Sequence, residues 1–434
     1  MSPEGEGNRS AARESWRKEH LDAASREWLA EDERYFLHQS LSTPCLNVLA
    51  RCEASYIEDL QGRRYLDFHG NNVHHVGFSN PRVIDAITQQ MRELSFCTRR
   101  YTNIPAIRLA KKLAELAPGR LNKILLAPGG SAAVGMALKL ARIATGRFKT
   151  ISLWDSFHGA SLDAISIGGE DIFRRDMEPL LPGSLHVPPP DPAQCPWRCG
   201  EVCTAACAEY VDYVMGREGD VGAVIVETVR STSLIPPPRY LEILREACDR
   251  HGALLIFDEI PHALGRTGRM FTCENFGVTP DILLIGKALG GGIFPLAAMI
   301  AREDLDIAGD TALGHYTHEK NPVACAAALA AIEFIEENRL PERASEMGRY
   351  AKERLDEVAR RHSVVQSVRG LGLLLGVQLT SVAAAERVMY RSLELGLSFK
   401  VTMGTVLTLT PPLTISREEM DEAIGILDRA FGDI

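Results

Sequence analysis

The sequence predicts an α/β protein: a large domain with a mostly parallel central sheet covered by helices, plus a smaller α+β domain assembled from the N- and C-terminal segments. Three observations predict it. Between about residues 105 and 301, short apolar runs alternate with segments of helical periodicity. Those runs are apolar on both faces, as strands covered by helices on either side must be. Beyond about residue 325 the pattern changes to one long helix, two strand-like runs and a closing helix. At 434 residues the chain suits one large domain and one smaller one.

Taken in order, residues 1–35 begin "MSPEGEGNRSAARESWRKEH", a polar, charged stretch without the apolar core of a signal peptide. It reads as a flexible or helical leader, solvated and frayed. With ten cysteines and no secretion signal, the expectation is reduced thiols in the cytoplasm. Residues 36–75 hold "ASYIEDLQGRRYLDF", two short strands around a glycine turn, and read as the N-terminal part of the small domain. The large domain is expected over 76–324. There "NKILLAPGG" leads as a strand into the helix "SAAVGMALKLARIATG", and "FKTISLW", "GAVIVETV", "ALLIFDEI", "DILLIGKAL" and "FPLAAMIA" follow as strands. Residues 325–434 complete the small domain with the helix "PVACAAALAAIEFIEENRL", the runs "LGLLLGVQL" and "TVLTLTPPLTI", and the helix "SREEMDEAIGILDRAF". No apolar run approaches the about 20 residues a membrane span needs. A net charge of -9 without a basic face argues against nucleic acid.

Four features fall at the ends of predicted strands, where open α/β sheets bind ligands. In "APGGSAAVGMALKLAR" the backbone N–H groups of Gly130 and Ser131, with the Ser131 hydroxyl, would form an anion cup at a helix N-terminus, or the glycines serve only a tight turn. In "LWDSFHGASLDA", Phe157 would lie on a planar ring beside His158, or belong to the core next to a satisfied histidine. Asp258 ends "LLIFD" as a buried carboxylate that needs a cationic partner, either a protonated ring nitrogen or a structural ion pair or cap. Lys287 ends "DILLIGK"; desolvated, it becomes a nucleophile suited to an aldehyde, and otherwise it is a snorkelling strand-end lysine.

The order cup, aromatic, aspartate, lysine is that of a pyridoxal phosphate (PLP) site. The stretches "FDEIPHALGRTGRMF", "GKALGGG", "GHYTHEKNPVACAAALA" and "VLTLTPPLTI" resemble the signature segments of the class III (ω-type) aminotransferases of PLP fold type I, over roughly residues 40–434. The resemblance implies that Lys287 holds PLP and shuttles protons, and that Asp258 keeps the pyridine nitrogen protonated. It also implies that Phe157 and Ile260 cover the two ring faces, that Gly130 and Ser131 hold the phosphate, and that Thr317 reaches in from a neighbouring subunit of a homodimer.

The departures from the family pattern point to the substrate. Thr408 stands before "PPL" where family members acting on amino acids carry an arginine for the substrate carboxylate, and a hydroxyl cannot make that bidentate clamp. Pro261 replaces the usual glutamine, Thr228 the usual proline, and Ala132 a frequent glutamate. Asn72 and the histidines of "FHGNNVHHVGF", Arg99, Arg100 and Tyr101 of "FCTRRYTN", and Arg230 are candidate contacts for a phosphonate. Together with "FLHQSLSTPCLNVL", these segments are most similar to a branch that releases ammonia from a hydroxylated aminophosphonate. The alternatives are an aminotransferase or phospho-lyase on a related amine, and a PLP-binding protein without turnover. In "CPWRCGEVCTAAC" four cysteines recur at intervals of four. They read as thiols along a buried helical face or as a tetrahedral metal site; no metal is assigned.

Overall fold

The computed structural model describes residues 10–192, 195–199 and 203–434. Two compact units emerge. One comprises Pro81–Arg230 and Leu234–Asn338; the other comprises Met1–Asn80, Ser231–Ser233 and Arg339–Ile434.

The larger unit is built on a seven-stranded sheet in the order Leu121–Ala127, Ala297–Arg302, Ile282–Ile285, Leu254–Asp258, Val221–Glu227, Lys149–Leu153, Ser184–Val187. From Ile282–Ile285 to Ser184–Val187 every neighbouring pair is parallel. Ala297–Arg302 runs antiparallel to both its neighbours. The central strands Val221–Glu227 and Leu254–Asp258 are buried along their whole length, which explains their unbroken apolar runs. Register aligns Glu227 with Asp258 and Asp258 with Leu284, so three strands end side by side. Helix Gly130–Thr145 covers one face, packing Val134, Met136 and Ala141 into a cluster with Ile225, Ile256, Leu284 and Met299. Gly146, at φ 67°, ends that helix in the left-handed region.

Helix Pro322–Glu337 belongs to this unit, which corrects the domain boundary expected at 324/325. It packs against helices Pro81–Glu93 and Ile104–Leu116. Ion pairs Arg82–Glu333 and Lys112–Glu336, each 2.8 Å, border the contact. Ten of its sixteen residues are buried, so it is an interior helix rather than an amphipathic cover. The change of unit falls at Asn338/Arg339, and the upstream one at Asn80/Pro81 rather than 75/76.

The smaller unit contains two four-stranded sheets. Leu49–Glu53, Tyr56–Asp59 and Arg64–Asp67 form an antiparallel meander that Leu397–Ser398 joins in parallel. Val365–Leu371, Leu374–Leu379, Val406–Leu409 and Lys400–Thr402 form an antiparallel sheet in that order. In the described part of the leader the helical reading holds: helices Ala11–His20 and Ala23–Tyr35 are capped by the Ser10 and Asp22 side chains. Trp16 and Leu29 are buried in a cluster with Tyr390, which gives these helices an apolar anchor. Among the described residues no helix is long and apolar enough to cross a membrane.

Helix Leu340–Ala359 in this unit depends on one glycine. A Cβ at Gly348 would sit 2.0 Å from the Gly372 carbonyl oxygen, a backbone atom that cannot swing away. Exposed helical glycines gain stability on substitution by alanine; here overpacking dominates. Gly348→Ala should therefore destabilise the protein by about 2 kcal/mol in chemical denaturation; a gain in stability would show that the helix and the Gly372 turn part easily.

Candidate active site

The site grows from the strand ends of the larger unit. Asp258 is almost fully buried. His158 Nδ1 donates to its Oδ2 at 2.8 Å, and the Ile260 N–H donates to its Oδ1 at 3.1 Å. A carboxylate removed from water needs such donors, and its oxygens retain lone pairs for a further one. His158 is itself buried, and its Nε2 has no hydrogen-bond partner among the described residues.

The turn into helix Gly130–Thr145 has Gly129 at the N-cap position, with no side chain capping the first-turn N–H groups. Ser131 Oγ accepts from the Ala160 N–H at 3.2 Å. Gly159, at φ 127°, lies so close that a Cβ there would fall 2.2 Å from Ser131 Oγ. Ile260 is wedged between two glycines. A Cβ at Gly130 would meet its Cδ1 at 2.9 Å, and a Cβ at Gly286 its Cγ2 at 3.1 Å. The His158–Gly159 turn, the helix N-terminus, Ile260 and the segment leading to Lys287 therefore form one cradle that added side chains would fill.

Lys287 is half-buried and follows the fully buried strand Ile282–Ile285. Its φ of 46° is in the left-handed region, which a side chain adopts only when its surroundings compel it. His262 is fully buried, and burial, reinforced by the nearby Lys287 and Arg266 charges, holds it neutral well below the usual imidazole range. Burial lowers Arg266 to about 9. Glu259 is raised to about 7 because its burial outweighs three donors: Thr272 N at 2.6 Å, Cys273 N at 2.7 Å and Thr228 Oγ1 at 3.0 Å. Glu227, beside Asp258 in register, is also raised by burial, against the opposing pull of Arg230.

The remaining sequence candidates are placed less uniformly. Phe157 is partly exposed, its ring centroid 4.6 Å from that of Phe173, and its N–H donates to Glu227 Oε2 at 3.4 Å. Arg230 is buried; its Nε lies 3.4 Å from Glu227 Oε2, and Nη2 donates to Glu170 Oε1 at 3.1 Å and to the Asp155 carbonyl. Its guanidinium is thus already committed to protein groups. Arg99 is exposed, 2.6 Å from His315 Nε2; Arg100, Tyr101 and Thr317 are also exposed. Asn72 lies in the smaller unit, buried in the left-handed region at φ 59°, and its Oδ1 has no partner among the described residues. His74 is engaged by the Asp67 carbonyl at 3.1 Å and stacks on Phe78, the satisfied-histidine reading. In the same unit Thr408 is buried on strand Val406–Leu409, its hydroxyl 2.7 Å from that of Thr402.

Sequence reasoning missed Phe173 and Glu170, which back Phe157 and Arg230 from the four-residue helix Asp171–Arg174 and its N-cap, too short to leave a periodic signature. Glu259 was visible as the second acid after the strand, but its three donors come from Thr228 and the Thr272–Cys273 turn, which only folding brings near.

The chain resembles known proteins over nearly its whole length. The model of the class III aminotransferases matches residues 38–431. The chain is 45% identical to an (R)-1-hydroxy-2-aminoethylphosphonate ammonia-lyase of Vibrio splendidus (strain 12B01), covering 99% of this chain and 95% of that protein. It is 35% identical to a leucine/methionine racemase of Thermococcus litoralis, covering 92% and 94%. Among solved structures, a Bacillus anthracis aminotransferase superposes with a TM-score of 0.87 at 32% identity, covering 94% of this chain and 98% of that one. A PLP-bound amine transaminase from an uncultivated Pseudomonas species gives 0.86 at 31% identity, covering 92% and 98%. The fold is PLP fold type I, and the chain belongs to the class III aminotransferase family.

Proposed function

We propose that the protein is a PLP-dependent ammonia-lyase that converts (R)-1-hydroxy-2-aminoethylphosphonate to phosphonoacetaldehyde and ammonia. The observation that carries this reading is the 45% identity, over 99% of the chain, to a protein of that activity. Thr408 supports it, because an uncharged hydroxyl at the position of the family's carboxylate-binding arginine suits an amine that has no carboxylate. The reaction fits a cytoplasmic enzyme acting as a homodimer, with Thr317 of the partner subunit completing the phosphate site.

The residues present fit the cofactor. The uncapped N-terminus at Gly130, with Ser131, is a cup for a phosphate. Asp258, fixed by His158 and the Ile260 N–H, keeps lone pairs for a protonated ring nitrogen. Ile260 and Phe157 offer apolar surfaces for the ring faces. When bound, PLP supplies an aldehyde for the substrate amine and an electron-withdrawing ring. Lys287 holds the cofactor at rest. Once freed by the substrate amine, its Nζ takes a proton from the aminomethyl carbon. The resulting ammonium returns a proton to the hydroxyl leaving the adjacent carbon; the other candidate, His262, is held neutral by burial and has no ready proton to give. Water then hydrolyses the released enamine to the aldehyde and ammonia. Atoms balance without a keto acid, since the substrate loses only ammonia overall. Arg99, Arg100, Tyr101 and Asn72 are the proposed phosphonate contacts; Arg230, being ion-paired, acts through Glu227.

The test uses PLP-loaded protein with the aminophosphonate and no keto acid. Ammonia and phosphonoacetaldehyde should accumulate in equal amounts over many turnovers, and Lys287→Ala should lower the rate by about 10³-fold or more. Turnover that begins only when pyruvate is added would replace this reading with an aminotransferase; release of free phosphate would replace it with a phospho-lyase.

A second prediction concerns stability. Because folding depresses the His262 pKa, the two states bind protons equally above the ordinary imidazole value. Below it only the unfolded chain takes up this proton. Stability should therefore fall by about 1.4 kcal/mol per pH unit below pH ~6.5 on account of this residue. His262→Asn should flatten that part of the denaturation profile; an unchanged slope would mean that His262 is solvated.

A further inference from the structure

The cysteine-rich insert is not used by the chemistry above, and only Cys207 lies on a helix, Ala206–Glu218. The picture of four thiols along one helical face is thus corrected. Cys195 opens a turn with Pro196 at its second position, and the Arg198 N–H donates to the Cys195 carbonyl at 3.1 Å. Arg198 then takes φ 51°, in the left-handed region, and the chain reverses. The reversal sets Cys199 Sγ 3.7 Å from Cys195 Sγ. The turn is tied down by Trp197, whose ring centroid lies 5.6 Å from that of Tyr210 on helix Ala206–Glu218. All ten thiols are free, and among the described residues no group of three or more His, Cys, Asp or Glu side chains is arranged to hold a metal ion.

We propose that Cys195 and Cys199 are a dithiol pair that closes reversibly to a disulfide, a modification site separate from the cradle. Both thiols are only partly buried, and Pro196 between them lines an open cavity bounded by Trp154, Asp155, Arg174 and Asp176, which admits a small oxidant. Cys199 is the attacking thiol. The Thr204 hydroxyl, 3.5 Å from its sulfur, and the neighbouring Cys195 favour its thiolate. Cys207 cannot compete, because burial pushes it up to about 12. With a glutathione-type disulfide as oxidant, the Cys199 thiolate forms a mixed disulfide and expels one glutathione thiolate. The Cys195 thiolate then attacks Cys199 Sγ and expels the second. Two protein thiols lose two electrons and two protons, and the oxidant is reduced to two thiols. The ring closed is short, so the consequence is a locked turn at the cavity rim.

The experiment treats PLP-loaded enzyme with oxidised glutathione, quenches with acid, alkylates free thiols and maps peptides by mass. Two of the ten thiols should be lost per chain, in one peptide holding Cys195 and Cys199, and restored by dithiothreitol. Cys199→Ser should abolish the loss of both thiols, Cys195→Ser should leave Cys199 as a stable glutathione adduct, and Cys203→Ser should change neither. Two results would overturn the proposal. One is random or absent oxidation. The other is a stoichiometric metal in purified protein that is lost in Cys207→Ser, which would make the four cysteines ligands.

Discussion

The hydrogen bond between His158 and Asp258 is the constraint on which the cradle depends. Asp258 ends a strand buried on both faces, in register with Glu227 on the next one, so two acidic groups share the same dry edge of the sheet. Such a pair is stable only if each has its own donors or cation. Arg230 serves Glu227, and His158 serves Asp258. Fixing His158 also fixes Gly159 next to it. Gly159 must be glycine because Ser131 fills the space a Cβ would take. Ser131 stands in the first turn of helix Gly130–Thr145, so the position of the anion cup is set, through four residues, by the need to satisfy one carboxylate. Mutual placement of cup and carboxylate is what a cofactor with a phosphate at one end and a ring nitrogen at the other demands.

Much of this was legible because strand ends leave clear marks. Apolar runs closing on Asp258 and Lys287 locate the edge of the sheet, and a Gly-Gly-Ser turn before a helical period locates an N-terminus. Direction was not legible. The run at Ala297–Arg302 is apolar and buried like the parallel strands yet runs antiparallel, since periodicity carries no sign. Allegiance was not legible either. Helix Pro322–Glu337 is apolar on most sides because helices from residues 81–116 enclose it, and nothing in its own sequence names those partners. In the cradle each residue alone had an ordinary structural reading, and the resemblance to a family supplied the roles. Phe173 and Glu170 stayed hidden because they act by packing behind residues that are themselves recognisable.

Two of the departures from the family pattern meet at one turn. Thr228, where a proline is usual, supplies a hydroxyl to Glu259, a contact proline cannot make. Glu259 accepts two backbone N–H groups as well, and the His262 N–H donates to its carbonyl at 3.0 Å, closing the turn that contains Pro261. The replacements at 228 and 261 therefore converge on the turn that holds His262 beside Lys287.

That turn bears on proton economy. His262 is kept neutral by burial and by the Lys287 charge, and Glu259 is shifted towards neutrality by burial alone. A charged neighbour of either sign would bias Lys287, an anion holding its proton and a cation expelling it. A lysine that must first accept a proton from carbon and then surrender one to a leaving hydroxyl works best where neither state is strongly favoured. An elimination that returns the cofactor unchanged needs both transfers in each turnover with no second substrate to reset the base. In the proposed elimination, the substitutions around His262 serve one requirement: neighbours of Lys287 that let a proton move in either direction.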